Sequence, residues 1–193
     1  DEWYAIRLGR FTASVADTIA TAGAGLETLC FKIAAEKLTG RKEETFKSAA
    51  MEQGNELEAV ARTLFEMKTG YTVEEVGFIE IDELEGSSPD GLIHIGTEIT
   101  GVEFKCPQDN TYAKLLFDHK IKPEYYAQMQ MQMRHTGAKR WFYCVYNPHF
   151  TEEMIIIEVS VNPEFQEKLA RGLTKGKTRV NEIIQIIRKN YNV

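Results

Sequence analysis

Ser88-Pro89-Asp90-Gly91 and the later run Val102-Glu103-Phe104-Lys105 are the residues of this chain best placed to do chemistry. Side chains alternate faces along a strand, so Glu103 and Lys105 share one face and Phe104 takes the other. Asp90 and Glu103 offer hard oxygen ligands to a divalent cation, Mg²⁺ or Mn²⁺, with the Phe104 backbone carbonyl and waters completing the shell. Water activated by such a cation can attack phosphorus, so the trio suits metal-assisted cleavage of a phosphodiester. Lys105 could orient that water, deprotonate it, or neutralise charge developing on the phosphate; spacing leaves these roles open. The plain alternative is a Pro-Asp-Gly turn beside a solvated acid-x-lysine pair.

These residues need a sheet to position them. Leu92–Ile95 and Ile99–Phe104 read as a hairpin turned near Gly96, and Pro107 closes the second strand because it cannot donate to a ladder. Asp90 and Glu103 then sit on neighbouring strands. Trp141–Tyr146 is a continuous apolar strand stopped by Asn147-Pro148, Met154–Val161 a further strand, and Tyr71–Ile81 is strand-like. Helical spacing covers residues 12–22, 26–39, 48–69, 109–119 and 123–136, with Thr12 or Ser14 as N-cap and Gly40 and Gly70 as stops. A long amphipathic helix over 163–190 is expected to break near Gly172 or Gly176. Helices first, then a sheet with inserted helices, predicts an α/β fold: one domain over 1–193 with a mixed central β-sheet flanked by helices.

Composition narrows the class. The chain has 193 residues, enough for one sizeable core, and no apolar run reaches the roughly 20 residues of a membrane helix. No signal peptide is visible. Cys30, Cys106 and Cys144 are odd in number and scattered, which excludes a disulfide framework and a zinc or iron–sulfur set and predicts free thiols in a reducing compartment. The net charge of −6 argues against a generic nucleic-acid binder. Its distribution is uneven: residues 1–98 carry 9 Lys/Arg against 19 Asp/Glu, whereas 99–193 carry 14 against 10. A local basic track is therefore compatible with an acidic chain.

The Pro-Asp and Glu-x-Lys elements resemble the PD-(D/E)xK nuclease core, a restriction-endonuclease-like fold. Further motifs narrow the resemblance. In order they are Trp3-x-x-x-Arg7-Leu8-Gly9-x-x-Thr12-Ala13-Ser14, then Gly54-x-x-x-Glu58-x-x-x-Arg62-Thr63-Leu64-Phe65-Glu66 with Gly70. Ser88-Pro89-Asp90-Gly91-Leu92 with Glu103-x-Lys105-Cys106-Pro107 follows. Last is Tyr126-x-Gln128-x-Gln130-x-x-Met133 with Tyr146-Asn147-Pro148. Together, from about residue 3 to 150, they resemble the phage lambda exonuclease and YqaJ-type viral recombinase family.

That resemblance implies Asp90, Glu103 and Lys105 as catalytic residues and Glu58 as a helix glutamate near the metals, in the second shell or on a second ion. It implies two Mg²⁺ ions, with Mn²⁺ as a substitute. It places Arg7 and Ser14 at the 5′-terminal phosphate, and Ser88 and Gln128 beside the scissile phosphate. An arginine fork and a hydroxyl at a helix start are physically suited to an anion. The implied reaction is 5′→3′ digestion of one strand of double-stranded DNA, giving 5′-mononucleotides and a 3′ single-stranded tail. The implied assembly is a homotrimeric ring around DNA, with a single-strand annealing protein as partner, in the cytoplasm of a bacterial cell or phage-infected host. A PD-(D/E)xK endonuclease of restriction or repair type would share the trio but have no use for Arg7 and Ser14. A non-enzymatic DNA-binding module would not need the trio intact.

Other residues read as structural. His119, His135 and His149 lack ligand spacing. The aromatic strand at 141–146 reads as sheet core. Met129, Met131 and Met133 contribute in part to the core. Gln130 could simply be a surface residue, and Tyr126 is a weaker match. Lys114, Lys120, Lys122, Arg134, Lys139 and Arg140 could line a basic DNA track or serve solubility.

Overall fold

The computed structural model describes residues 2–42 and 49–191, with side chains over 5–42 and 57–191; the Trp3 side chain and Gly54 lie outside the described side chains. Seven α-helices and seven strands are present among these residues. In order they are α1 (Glu2–Arg7), β1 (Phe11–Thr12), a 3-10 turn (Ala13–Val15), α2 (Ala16–Thr21), α3 (Ala24–Thr39), α4 (Ala49–Thr69), β2 (Ile79–Asp82) and β3 (Glu85–Ser87). Then come β4 (Gly91–Ile95), β5 (Glu98–Lys105), α5 (Asp109–Asp118), α6 (Pro123–Thr136), β6 (Arg140–Tyr146), β7 (Met154–Ser160) and α7 (Pro163–Tyr191).

The expected mixed sheet is a four-stranded sheet in the order β4-β5-β6-β7. The β4–β5 hairpin is antiparallel, with registers from Gly91↔Val102 to Ile95↔Glu98. β5 and β6 run parallel, Glu103 opposite Tyr143, and β6–β7 is antiparallel. The parallel pair needs a crossover, and α5 and α6 supply it. A three-stranded sheet, β1-β3-β2, lies apart from it and was not expected as a separate unit.

The segment 71–81 departs from expectation. Only Ile79–Asp82 forms a strand, and upstream of it Glu74 makes an isolated bridge to Leu92. Alternating Val73, Val76 and Phe78 mimic strand periodicity, yet here the apolar residues pin an irregular segment. Val73 packs with Ala61 and Phe65, and its amide donates to Glu66 Oε1 at 2.7 Å. β1 and β3 were not read because two- and three-residue strands carry no period. The 12–22 helix is split into the 3-10 turn and α2, and neither start has a side-chain cap hydrogen bond. The Thr12 and Ser14 hydroxyls instead lie 3.1 Å from each other.

α7 runs unbroken through Gly172 and Gly176. Its glycines do not end it because α2 packs against it so closely that a Cβ at Gly172 would collide with the Ile19 carbonyl oxygen. Leu169, Leu173, Val180 and Ile183 on the buried side join Phe11, Ile19, Leu26, Cys30 and Ile33 in one core. A second core lies under α4, where Phe65 meets Phe104 edge-on at 5.9 Å and Phe142 at 5.7 Å. A third joins α5 and α6 to the sheet through Tyr112, Met129, Met133 and Trp141. α6 lies between cores: Met131 faces the first, Met129 and Met133 the third, so all three methionines are buried rather than part of them. Among the described residues no helix is long and apolar enough to cross a membrane, and the three cysteines are free.

Candidate active site

The β4–β5 hairpin assembles the expected trio. Gly91 pairs with Val102, so extending the antiparallel register by one residue sets Asp90 opposite Glu103. Asp90 Oδ2 accepts a 2.7 Å hydrogen bond from the Phe104 amide, which locks the carboxylate across the hairpin. The Phe104 side chain turns to the α4 core, as alternation requires. Glu103 is fully buried and holds the Lys105 ammonium in an ion pair. A buried carboxylate without partners would be too costly to keep. Gln128 Nε2 donates to Glu103 Oε1 at 2.6 Å, and Gln132 Nε2 to Oε2 at 2.9 Å.

The electrostatics follow from crowding. Burial, then the neighbouring Glu103 charge, pushes the Asp90 carboxyl well above its ordinary range, with Lys105 opposing. Burial alone would weaken the Lys105 ammonium, but Glu103 and Asp90 outweigh it and hold the group above its usual value. Burial also raises Glu58, against the pull of Lys105 and Arg62. Half-buried on α4, Glu58 is no solvated helix acid: it lines a cavity with Phe104, Lys105 and Cys106. Its neighbour Arg62 lies 3.8 Å from it, pairs with Glu75, and donates at 3.4 Å to the Asp90 carbonyl. The Cys106 thiol is pushed up to about 11 by burial and by Glu58, so it is protonated and inert at neutral pH.

Among the described residues no three His, Cys, Asp or Glu side chains stand close enough to enclose a cation on their own. The donor set nonetheless fits Mg²⁺, which is usually held by one or two carboxylates plus waters and substrate phosphate rather than by an all-protein cage. Asp90, Glu103 and the Phe104 carbonyl are such a set, and a dication would offset both the burial of Asp90 and the neighbouring Glu103 charge that lift its carboxyl.

The cavity beside Lys105 is about 730 Å³ and is lined by Lys114, Lys120 and Lys122 as well as Tyr125 and Tyr143. Three of the six candidate track cations thus line this cavity. Arg134 and Lys139 are exposed elsewhere, and Arg140 is engaged with Glu158 and Thr100. Tyr125, not Tyr126, faces the site: its ring lies 5.2 Å from Lys105 Nζ. Tyr126 instead accepts a hydrogen bond from Asn162 through its hydroxyl. Gln130 is buried, not superficial, and ties α6 to β7 by donating to the Ser160 carbonyl at 2.8 Å. Ser88 Oγ is buried with no hydrogen-bond partner among the described residues.

Arg7 and Ser14 come together as well. Both line a cavity of about 140 Å³ with Arg10, Thr12, Lys32, Glu36 and Lys42. Gly9 makes the turn after Arg7 with φ +68°, a left-handed conformation that glycine adopts without strain, and its amide donates to Glu36 Oε2 at 2.8 Å. The parallel pairing of Phe11 with Glu85 and Thr12 with Gly86 connects the two places: beyond it β1 continues to Ser14, and β3 to Ser88 and Asp90.

Sequence reasoning missed Gln132 and His135. Gln132 lay in a Gln-x-Gln-x-Gln run whose helical faces could be assigned only with the sheet in place. His135 bridges Ser87 Oγ at 2.9 Å and Glu85 Oε1 at 2.8 Å, and its residue spacing gives no hint of those partners.

The fold agrees with those of known proteins. A family model described as the YqaJ-like viral recombinase domain matches residues 2–139. The alkaline exonuclease LHK-Exo from Laribacter hongkongensis is similar at 30% identity, covering 97% of this chain and 98% of that one, with a TM-score of 0.83. A structure of LHK-Exo in complex with dAMP is similar at 29% identity over 97% of this chain and 96% of that one, TM-score 0.88. A phage-related exonuclease from Haemophilus somnus 129PT shares the fold at 13% identity, 92% and 96% coverage and TM-score 0.69. No curated protein sequence matches the chain. On these grounds the chain belongs to the YqaJ-like viral recombinase domain family, and its class is that of a nuclease acting in DNA recombination.

Proposed function

We propose that the protein is a Mg²⁺-dependent 5′→3′ exonuclease on double-stranded DNA, releasing 5′-mononucleotides and leaving a 3′ single-stranded tail for strand annealing. The observation that carries this reading is the pairing of two sites. Asp90, Glu103 and Lys105 form the cutting site, and the Arg7–Ser14 cavity, connected to it through β1 and β3, has the size and charge to take a terminal phosphate.

Asp90, Glu103 and the Phe104 carbonyl would hold the metal, with Glu58 beside them. A bound cation supplies Lewis acidity and activates water. Lys105 neutralises charge on the phosphate under attack, while Gln128 keeps the Glu103 carboxylate oriented. The buried, unpartnered Ser88 hydroxyl would donate to the scissile phosphate. Arg7 and Ser14 register the 5′ end and set direction. The lysine-lined cavity would track the backbone, and the protein would work as a homotrimer with a single-strand annealing partner.

Release of nucleotides from linear duplexes carrying 5′-phosphate or 5′-hydroxyl ends tests the reading. Mg²⁺-dependent, EDTA-sensitive release that favours phosphorylated ends is expected. Arg7→Ala should reduce that preference roughly 10–100-fold, the value of a charge-assisted hydrogen bond. Nicking of covalently closed circular duplex would favour an endonuclease instead.

A further inference from the structure

We propose that α6 is a two-point clamp on the cutting site, with Gln132 and His135 as positioning residues. The proposal rests on the nuclease reading and goes beyond it by assigning a role to two residues outside the reacting set. Gln128, Gln132 and His135 recur at i, i+4 and i+7 and so form one stripe of α6.

The upper part of that stripe grips β5. Gln128 donates to one oxygen of Glu103 and Gln132 to the other, so the plane of a fully buried carboxylate is set by two amides from one helix. Gln132 itself is buried, and its Oε1 has no partner among the described residues. Leaving such an oxygen unsatisfied is costly, so packing alone would be better served by an apolar side chain. The cost is intelligible if the amide hydrogens are needed on Glu103.

The lower part grips β3. His135, with its side chain almost wholly enclosed, bridges Ser87 Oγ and Glu85 Oε1. Glu85 is held from its other oxygen by Lys177 of α7, which also reaches Asp82 at 2.6 Å. β3 is only three residues long, and it delivers Ser88 and Asp90 directly after Ser87. One helix therefore fixes β5, which carries Glu103, and the end of β3, from which the chain runs through Ser88 to Asp90. Partners that orient metal-binding carboxylates typically matter about 10–100-fold in metal affinity or activity.

The test uses the full chain with Gln132→Met, which keeps volume and removes the amide, together with His135→Leu and the more conservative His135→Gln. The readouts are kcat and KM on a 5′-phosphorylated duplex across a Mg²⁺ titration, Mn²⁺ affinity by calorimetry, and thermal unfolding by circular dichroism. Gln132→Met should lower kcat about 10–100-fold and weaken Mn²⁺ binding about tenfold, with KM for DNA within about twofold. His135→Leu should do the same, and His135→Gln should recover about half of the logarithmic loss. Folded variants that keep both kcat and Mn²⁺ affinity within about twofold of the parent overturn the clamp, as does a loss that merely equals the unfolded fraction. In those cases an active parent leaves the nuclease reading standing. A parent that neither releases nucleotide nor binds Mn²⁺ overturns the nuclease reading and the clamp with it.

Discussion

Lys105 illustrates how little freedom a residue in this site retains. Its ammonium is paired with buried Glu103, lies over the Tyr125 ring, and is held charged by two carboxylates. Lys105→Ala is expected to cut the cleavage rate roughly 10²–10⁴-fold while gel-shift binding of duplex in Ca²⁺ persists. Asp90, Glu103 and Lys105 were legible in the sequence because strand alternation alone puts two of them on one face. Tyr125 was not, since one step along a helix turns a side chain by about 100° and only the sheet beneath shows which tyrosine faces Lys105. The burial of Gln130 was left open for the same reason.

At the scale of elements, α7 and β3 carry the sharpest expectations. Gly172→Ala should force α2 and α7 apart, costing about 1–3 kcal/mol and lowering Tm by roughly 2–4 °C for each kcal/mol. Differential scanning calorimetry checks this. Burial pushes the Glu85 carboxyl up, but hydrogen bonds from His135 and Lys177 outweigh it and hold the group below its ordinary value. A carboxyl depressed in the folded state stabilises the fold above its unfolded pKa, and that contribution is lost as pH falls through the folded value. Urea melts should therefore show a loss of stability on acidification below about pH 4.5, the ordinary glutamate value. The loss should be blunted in Glu85→Gln. Of the elements, the hairpin, α5, α6, β6 and β7 were readable from period and turn chemistry. β1 and β3 were not, because strands so short are specified by what lies beside them.

For the whole molecule, the proposed end-binding cavity and the cutting site belong to segments separated by some 80 residues of chain, joined through the β1–β3 pairing. The ring around DNA belongs to the proposed function and rests on the family resemblance. Light scattering should return about three times the 22.0 kDa chain mass, and a monomer at micromolar concentration would refute the ring. DNA affinity should fall steeply with added salt if Lys114, Lys120 and Lys122 meet backbone phosphates, as counterion release requires.

By itself the sequence determined the chemistry available: two acids and a lysine on a hairpin, a second helix acid in Glu58, and an N-terminal Arg7–Ser14 pair. The trio was readable because strand alternation is a local property of the backbone, whereas Glu58, Arg7 and Ser14 were implied by the family resemblance of the motifs that carry them. Only the tertiary structure decided what holds them. That Glu103 is gripped by two amides of α6, that His135 anchors β3 from the same helix, and that Gly172 is a contact rather than a break all depend on neighbours far away in the chain. Long-range packing leaves no periodic mark in the sequence, because the residues that meet are brought together by the fold and not by their spacing.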